Sequence, residues 1–234
     1  MAILYHKKPF VNQGSFGGIF MVYLVIMKTR FFWIFLGSFL FLCFILFSFL
    51  VHKNLFTQFD FNTTVRLQDH ISRRFDGAFS FLSDIGKFEV MTIVLLFVLI
   101  LRRKFLGIIS LGFFGLLHGI ELYGKFFVNH PPPPEFMIRT EKIINFPQFY
   151  VRSQFSYPSG HAGRAGFLTA LLGVWVLRSK KLSRFQKTCI LFVLLIYDIT
   201  MLTTRVYLGE HWASDVIGGA LLGAALGIIG ACVL

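Results

Sequence analysis

Six apolar runs, separated by polar or basic stretches, divide the chain. The first, Phe31 to Val51, carries no charged residue and is long enough to cross a hydrocarbon core of about 30 Å. The second, Phe88 to Leu101, is short and borrows residues from 81–87 to complete a span. Phe105 to Val128, Ala162 to Leu177, Thr188 to Thr203 and Trp212 to Leu234 follow. This pattern predicts an all-α fold: a polytopic membrane bundle with six transmembrane helices. Residues 1–30 form a separate N-terminal cytoplasmic or interfacial segment. There Ile19 to Met27 is apolar but too short to span, and Lys7, Lys8, Lys28 and Arg30 bracket it. Residues 31–234 make up the membrane domain.

The polar stretches add detail. Residues 52–87 predict an external loop with one amphipathic helix near 65–83. In the third run, His118, Glu121 and Lys125 recur at spacings of three and four. They share a helix face, which therefore turns toward protein or water rather than lipid. Pro131 to Pro134 cannot continue a helix and predict a polyproline II exit from the membrane. A loop over 135–157 follows, with Arg139, Lys142 and Arg152. In the last run Gly219, Gly223 and Gly227 stand four apart, a small-residue face for close helix packing. Basic clusters at 102–104, at 178–187 and in the N-terminal segment fall on one side of a six-span topology, which assigns that side to the cytoplasm. The loops at 52–87 and 129–160 and the turn near 204–212 then lie outside.

Composition narrows the class. Phenylalanine occurs 31 times in 234 residues and mean hydropathy is +0.71, which excludes an ordinary soluble domain. The net charge of +12 is accounted for largely by the cytoplasmic basic turns, so no nucleic-acid partner is implied. Cys43, Cys189 and Cys232 all sit in apolar runs, so no disulfide is expected. No Cys/His spacing suits a metal, and no cofactor is expected.

The candidate chemistry lies in two stretches. Between Thr204 and Asp215 a cation, a histidine and carboxylates interrupt apolar sequence, where ionisable groups usually line a functional cavity. His211 and Asp215 are four apart. On a helix they share a face, so Asp215 can accept from one ring nitrogen and leave the other free as a nucleophile or base. Arg205 returns to the same pocket if Gly209 supplies a turn, and a planar guanidinium suits a phosphate. The second stretch is Tyr157 to His161. Ser159 is placed to cap the fourth span, and the free N–H groups of Gly160, His161 and Ala162 would form an anion site, with His161 beside it as a proton donor. Each stretch alone could be an interfacial cap. Their convergence on one membrane face favours a site.

These residues resemble the type-2 phosphatidic acid phosphatase superfamily, which includes lipid phosphate phosphatases and undecaprenyl pyrophosphate phosphatases. Pro158-Ser159-Gly160-His161 matches its second motif. Arg205, His211 and Asp215 match the third, with Thr204 in place of serine. The first motif matches in part: Lys125 and Pro133 are in place, and Pro132 stands at the arginine position. The resemblance covers residues 88–227. It implies that His211 forms a phosphohistidine, that Asp215 orients it, and that His161 protonates the leaving group and then activates water. It also implies that Lys125, Arg205, Ser159 and the Gly160 amide hold the phosphate oxygens, with no metal. The expected activity is hydrolysis of a membrane lipid phosphate or pyrophosphate at the external or periplasmic leaflet of a plasma or inner membrane. Polyprenyl pyrophosphate, phosphatidic acid or phosphatidylglycerol phosphate would be the substrate. A lipid phosphotransferase and a catalytically weakened lipid-binding member are the alternatives. The missing arginine needs a substitute. Arg139, just beyond the stiff proline segment, is the first choice, with His130 and Arg164 as the others. Glu121 and His118 read as structural polar packing, and Asp198 as a hydrogen bond between helices.

Overall fold

A computed structural model describes residues 14–102, 107–141 and 155–232. Lys142, Arg152 and part of the 102–104 basic cluster lie outside the described residues. The described chain is all-helical: α1 (Gly14–His52), α2 (Thr57–His70), α3 (Asp76–Ile85), α4 (Phe88–Arg102), α5 (Gly107–Phe127), α6 (Gly160–Arg178), α7 (Arg184–Tyr207) and α8 (Ala213–Cys232). Three helical stretches are long and apolar enough to cross a membrane by themselves: Arg30–His52, Arg184–Tyr207 and Ala213–Cys232. Phe88–Ile100 is a shorter apolar helix. The outer faces carry exposed Phe31, Phe35 and Phe39 on α1, Phe97 and Ile100 on α4, and Phe192 and Val193 on α7. A large exposed apolar surface of this kind is stable only against lipid, so the chain is an integral membrane protein.

The central helix is α8. Its glycine stripe lies directly on the α6 backbone. A Cβ on Gly219 would come within 2.3 Å of the Ser159 carbonyl oxygen, one on Gly223 within 2.0 Å of the Gly163 carbonyl, and one on Gly227 within 2.3 Å of the Phe167 carbonyl. Only glycine allows that approach, the small-residue packing expected from the sequence. On its other side α8 meets α1, where Gly37 faces Ile229 and the Ala225 carbonyl. Ser110 of α5 donates to the Gly230 carbonyl at 3.1 Å. Asp198 of α7 accepts from Thr169 of α6 at 2.7 Å, the interhelix bond expected of it.

Two elements differ from the sequence expectation. The first helix is continuous from Gly14 to His52, so the segment before the first span is helical from Gly14 and runs into it without a break. Residues 57–85 form two helices, not one near 65–83. The chain turns extended at Ile71 and Ser72 and makes one 3-10 turn over Arg73–Phe75 before α3. The break lets two faces dock on different partners. From α2, Asp60 accepts from the Ser214 N–H at 2.8 Å and from its hydroxyl at 2.7 Å. From α3, Phe79 packs edge-on to Tyr207 of α7, with ring centroids 5.0 Å apart. Asp60 and Phe79 are thus structural partners of the helix ends carrying the third motif.

Candidate active site

The turn from α7 into α8 sets the position of His211. Gly209 has φ +68, and a Cβ there would lie 2.2 Å from the Met137 carbonyl oxygen, so this position requires glycine. The turn returns the chain toward Arg205, as its spacing suggested. His211 and Asp215 do not share a helix face, however. His211 lies in the turn and Asp215 in the first turn of α8. There Asp215 Oδ2 accepts from the Trp212 N–H at 3.0 Å, a helix-capping bond. The same oxygen accepts from His211 Nδ1 at 3.3 Å. The capping geometry therefore produces the pair, and Nε2 of His211 has no hydrogen-bond partner among the described residues. His211 is about nine-tenths buried and Asp215 fully so. Burial pushes the imidazole below its ordinary value. The Asp215 bond and charge push it up, Arg205 and Lys125 push it down again, and the net is a lowered pKa.

Arg205, in the last turn of α7, donates to Ser83 of α3 and to Glu210. Thr140 also donates to Glu210. Burial opposes charge on Glu210, but Arg205 and Thr140 outweigh it and hold its carboxyl below the usual range. Arg205 Nε is buried with no partner among the described residues. Ser159 shows the same condition. It occupies the N-cap position of α6, but its side chain makes no capping bond, contrary to the sequence expectation. Its hydroxyl is buried and unpartnered. A buried donor without an acceptor is costly. Here there are two, one in each motif.

The N-terminus of α6 is held by charge. Lys125 donates to Glu121 at 2.8 Å. Glu121 also pairs with Arg164 at 3.3 Å. Gly160 lies against this carboxylate so closely that a Cβ would meet Glu121 Oε1 at 2.0 Å. Arg164 donates through Nε to the Gly86 carbonyl at 3.0 Å, and its Nη2 lies 3.4 Å from His161 Nδ1. The charges of Arg205, Arg164, His211 and Lys125 all act on His161. The structure therefore brings together Lys125, Ser159, Gly160, His161, Arg205, His211 and Asp215, drawn from α5, α6, α7 and α8.

Arg139 is placed elsewhere. Its guanidinium donates to the Gln68 carbonyl at 3.1 Å and to the Tyr207 hydroxyl at 3.4 Å, and it lies over the Tyr207 ring at 5.3 Å. Its backbone N–H donates to the Leu208 carbonyl at 2.9 Å. None of these partners is a candidate phosphate ligand; these contacts clamp the proline loop to the end of α7 and to Gln68. Arg164, the third choice from sequence, is the arginine beside His161. His118 follows its structural reading: Nδ1 bonds the Phe114 carbonyl at 2.8 Å, and the ring packs between Phe88 and Phe114. The sequence reading missed Asp60 and Ser83 at the site. Both lie in the stretch read as an external loop with one amphipathic helix near 65–83, and their spacing from the motifs carries no local signal.

The family model described as the PAP2 superfamily matches residues 95–234, more than half of the chain. Phosphatidylglycerophosphatase B of Bacillus subtilis (strain 168) is 30% identical over 74 residues, which are 32% of this chain and 36% of that protein. The chain thus matches about a third of this curated relative's length. A transmembrane PAP2 type phosphatidylglycerolphosphate phosphatase from Bacillus subtilis has a similar fold. Its TM-score is 0.67 at 19% identity, over 83% of this chain and 93% of that one. Aquifex aeolicus LpxE aligns with a TM-score of 0.56 at 23% identity, over 74% of this chain and 94% of that one.

Proposed function

Because the chain belongs to the PAP2 superfamily, we propose that it is an integral membrane phosphatase that removes phosphate from a lipid phosphate or pyrophosphate through a phosphohistidine on His211. The free Nε2 of His211 attacks phosphorus while Asp215 holds Nδ1 and stabilises the positive charge that develops on the ring. His161 protonates the oxygen that leaves with the lipid, then draws a proton from the water that cleaves the P–N bond. Arg205, Lys125, the Ser159 hydroxyl and the N–H groups at the start of α6 bind the oxygens on which negative charge accumulates. Arg164 stands where it can add to them in place of the missing first-motif arginine. Phosphatidylglycerol phosphate is the first substrate to test, since the Bacillus subtilis relative is named for it. Phosphatidic acid and a polyprenyl pyrophosphate follow.

The observation that carries this reading is the pair of buried, unpartnered donors, Ser159 Oγ and Arg205 Nε. They belong to two motifs far apart in sequence, and phosphate oxygens would satisfy both. The purified protein in detergent should release inorganic phosphate from at least one of the three lipids, and His211→Ala should reduce release to a few per cent or less while keeping its melting temperature. Absence of release from all three lipids, or an active His211→Ala, overturns the reading.

A further inference from the structure

Asp215 has a second imidazole partner that the phosphatase motifs do not include. His130, the residue before the four prolines, donates from Nδ1 to Asp215 Oδ1 at 2.7 Å. Its other nitrogen, Nε2, lies 3.4 Å from Asp60 Oδ2. Asp60 is fixed by both the N–H and the hydroxyl of Ser214, next to Asp215 in sequence. His130, Asp60 and Asp215 are each at most 4% exposed, so neither carboxylate can rely on water. The His130 backbone is fixed as well. Its carbonyl accepts from the Ser156 N–H at 3.0 Å and from the Ser156 hydroxyl at 3.1 Å. The next carbonyl, on Pro131, accepts from Trp212 Nε1 at 2.8 Å. The stiff proline segment therefore presents a basic side chain after all, but it is His130, and it is directed at Asp215.

We propose that His130 is a positioning residue of the reaction: a standing imidazolium that shares Asp215 with His211 and so keeps His211 unprotonated and nucleophilic. The inference rests on the reading of His211 as the nucleophile. An imidazole with a carboxylate at each nitrogen holds a proton on each, because either bond otherwise sets lone pair against lone pair. His130 then neutralises the Asp215 charge from one side. Asp215 still accepts from His211 Nδ1 through its other oxygen, which fixes the ring, but it no longer draws a second proton onto His211. The other charged groups facing His211 are Arg205 of α7, Glu210 of the turn, Lys125 of α5 and His161 of α6. Burial opposes charge on His130, yet the bonds and charges of Asp215 and Asp60 raise its pKa to about 9, consistent with the geometry.

The test is the titration of His211, read by nitrogen NMR of ¹⁵N-histidine-labelled full-length protein in detergent, with the signal assigned by its loss in His211→Gln. In His130→Gln, which keeps a donor but removes the charge, the His211 midpoint should rise by about one pH unit, the effect of an uncompensated carboxylate at this range. The acid limb of kcat/KM should move with it, so that the variant is slower than wild type near pH 6 and close to it near pH 8.5. An unchanged midpoint, or an equal loss at every pH, overturns the proposal and leaves His130 a packing residue. If His130→Gln does not fold, the wild type alone decides. Both ring nitrogens of His130 should be protonated at about pH 7.5, and a single protonated nitrogen overturns the proposal. Neither NMR readout requires turnover. A protein that releases no phosphate but shows the shift would refute the phosphatase reading and keep the pairing.

Discussion

At the residue scale, two arginines compete to replace the one that the first motif lacks. Arg139 lies beyond the proline segment and is spent on Tyr207, Gln68 and the Leu208 carbonyl. Arg164 is buried beside His161 and balanced by Glu121. A hydrogen bond from a fixed cation to a charged group is worth about 1.5–3 kcal/mol, or roughly a ten- to hundredfold change in rate. Arg164→Gln should therefore lower kcat/KM for lipid phosphate by that factor, while Arg139→Gln should change it less than about threefold and act chiefly on stability. Steady-state phosphate release by the two variants decides between them, and the reverse order would return Arg139 to the pocket. The motif residues themselves were legible from sequence because their spacing is local: Arg205, His211 and Asp215 are brought together by one turn. The capping role of Asp215 was not, since the sequence suggested that His211 lay on the same helix.

At the element scale, the site depends on the contact between α6 and α8, because Ser159, Gly160 and His161 stand on one helix and Asp215 on the other. Gly223 allows that contact. Alanine there would place its Cβ 2.0 Å from the Gly163 carbonyl oxygen, a backbone atom that can yield only if the helices move apart. Gly112 on α5 meets nothing within 4 Å. Gly223→Ala should cost about 1–3 kcal/mol by overpacking, against the small gain alanine brings to an open helix position. Its melting temperature in detergent should fall by several degrees, and that of Gly112→Ala should hold or rise. Equal melts would show that the stripe is not tightly packed. The glycine periodicity was readable in the sequence. Which helix it met was not.

At the scale of the whole molecule, α6 begins at the candidate site and ends at Arg178, in the basic turn that continues through Lys180, Lys181 and Arg184. The site and this cationic turn thus sit at opposite ends of one helix, and the distribution of basic residues predicts that the site faces outside. In a variant lacking the native cysteines, Phe136→Cys, which is exposed on the loop after the prolines, should react with a membrane-impermeant maleimide added to intact cells. Ser179→Cys should react only after the cells are opened. The opposite pattern would direct the enzyme to a lipid pool on the cytoplasmic side.

The sequence by itself determined the helical class, the membrane setting, the second and third motifs and the residue types of the chemistry, because each is written in spacings of a few residues or in bulk apolarity. Tertiary structure decided which of the spare basic residues lie beside the motif residues. Asp60 reaches Ser214 across 154 positions, and His130 reaches Asp215 across 85. Such pairs form because a break at Ile71 and Ser72 docks α2 on the start of α8, and because Ser156 and Trp212 hold the carbonyls on either side of the His130–Pro131 bond. Helix periodicity does not encode a partner chosen by packing between distant elements. Four prolines in a row announced that something would be held rigidly, and only the fold showed that it was an imidazole held against the aspartate that pairs with His211.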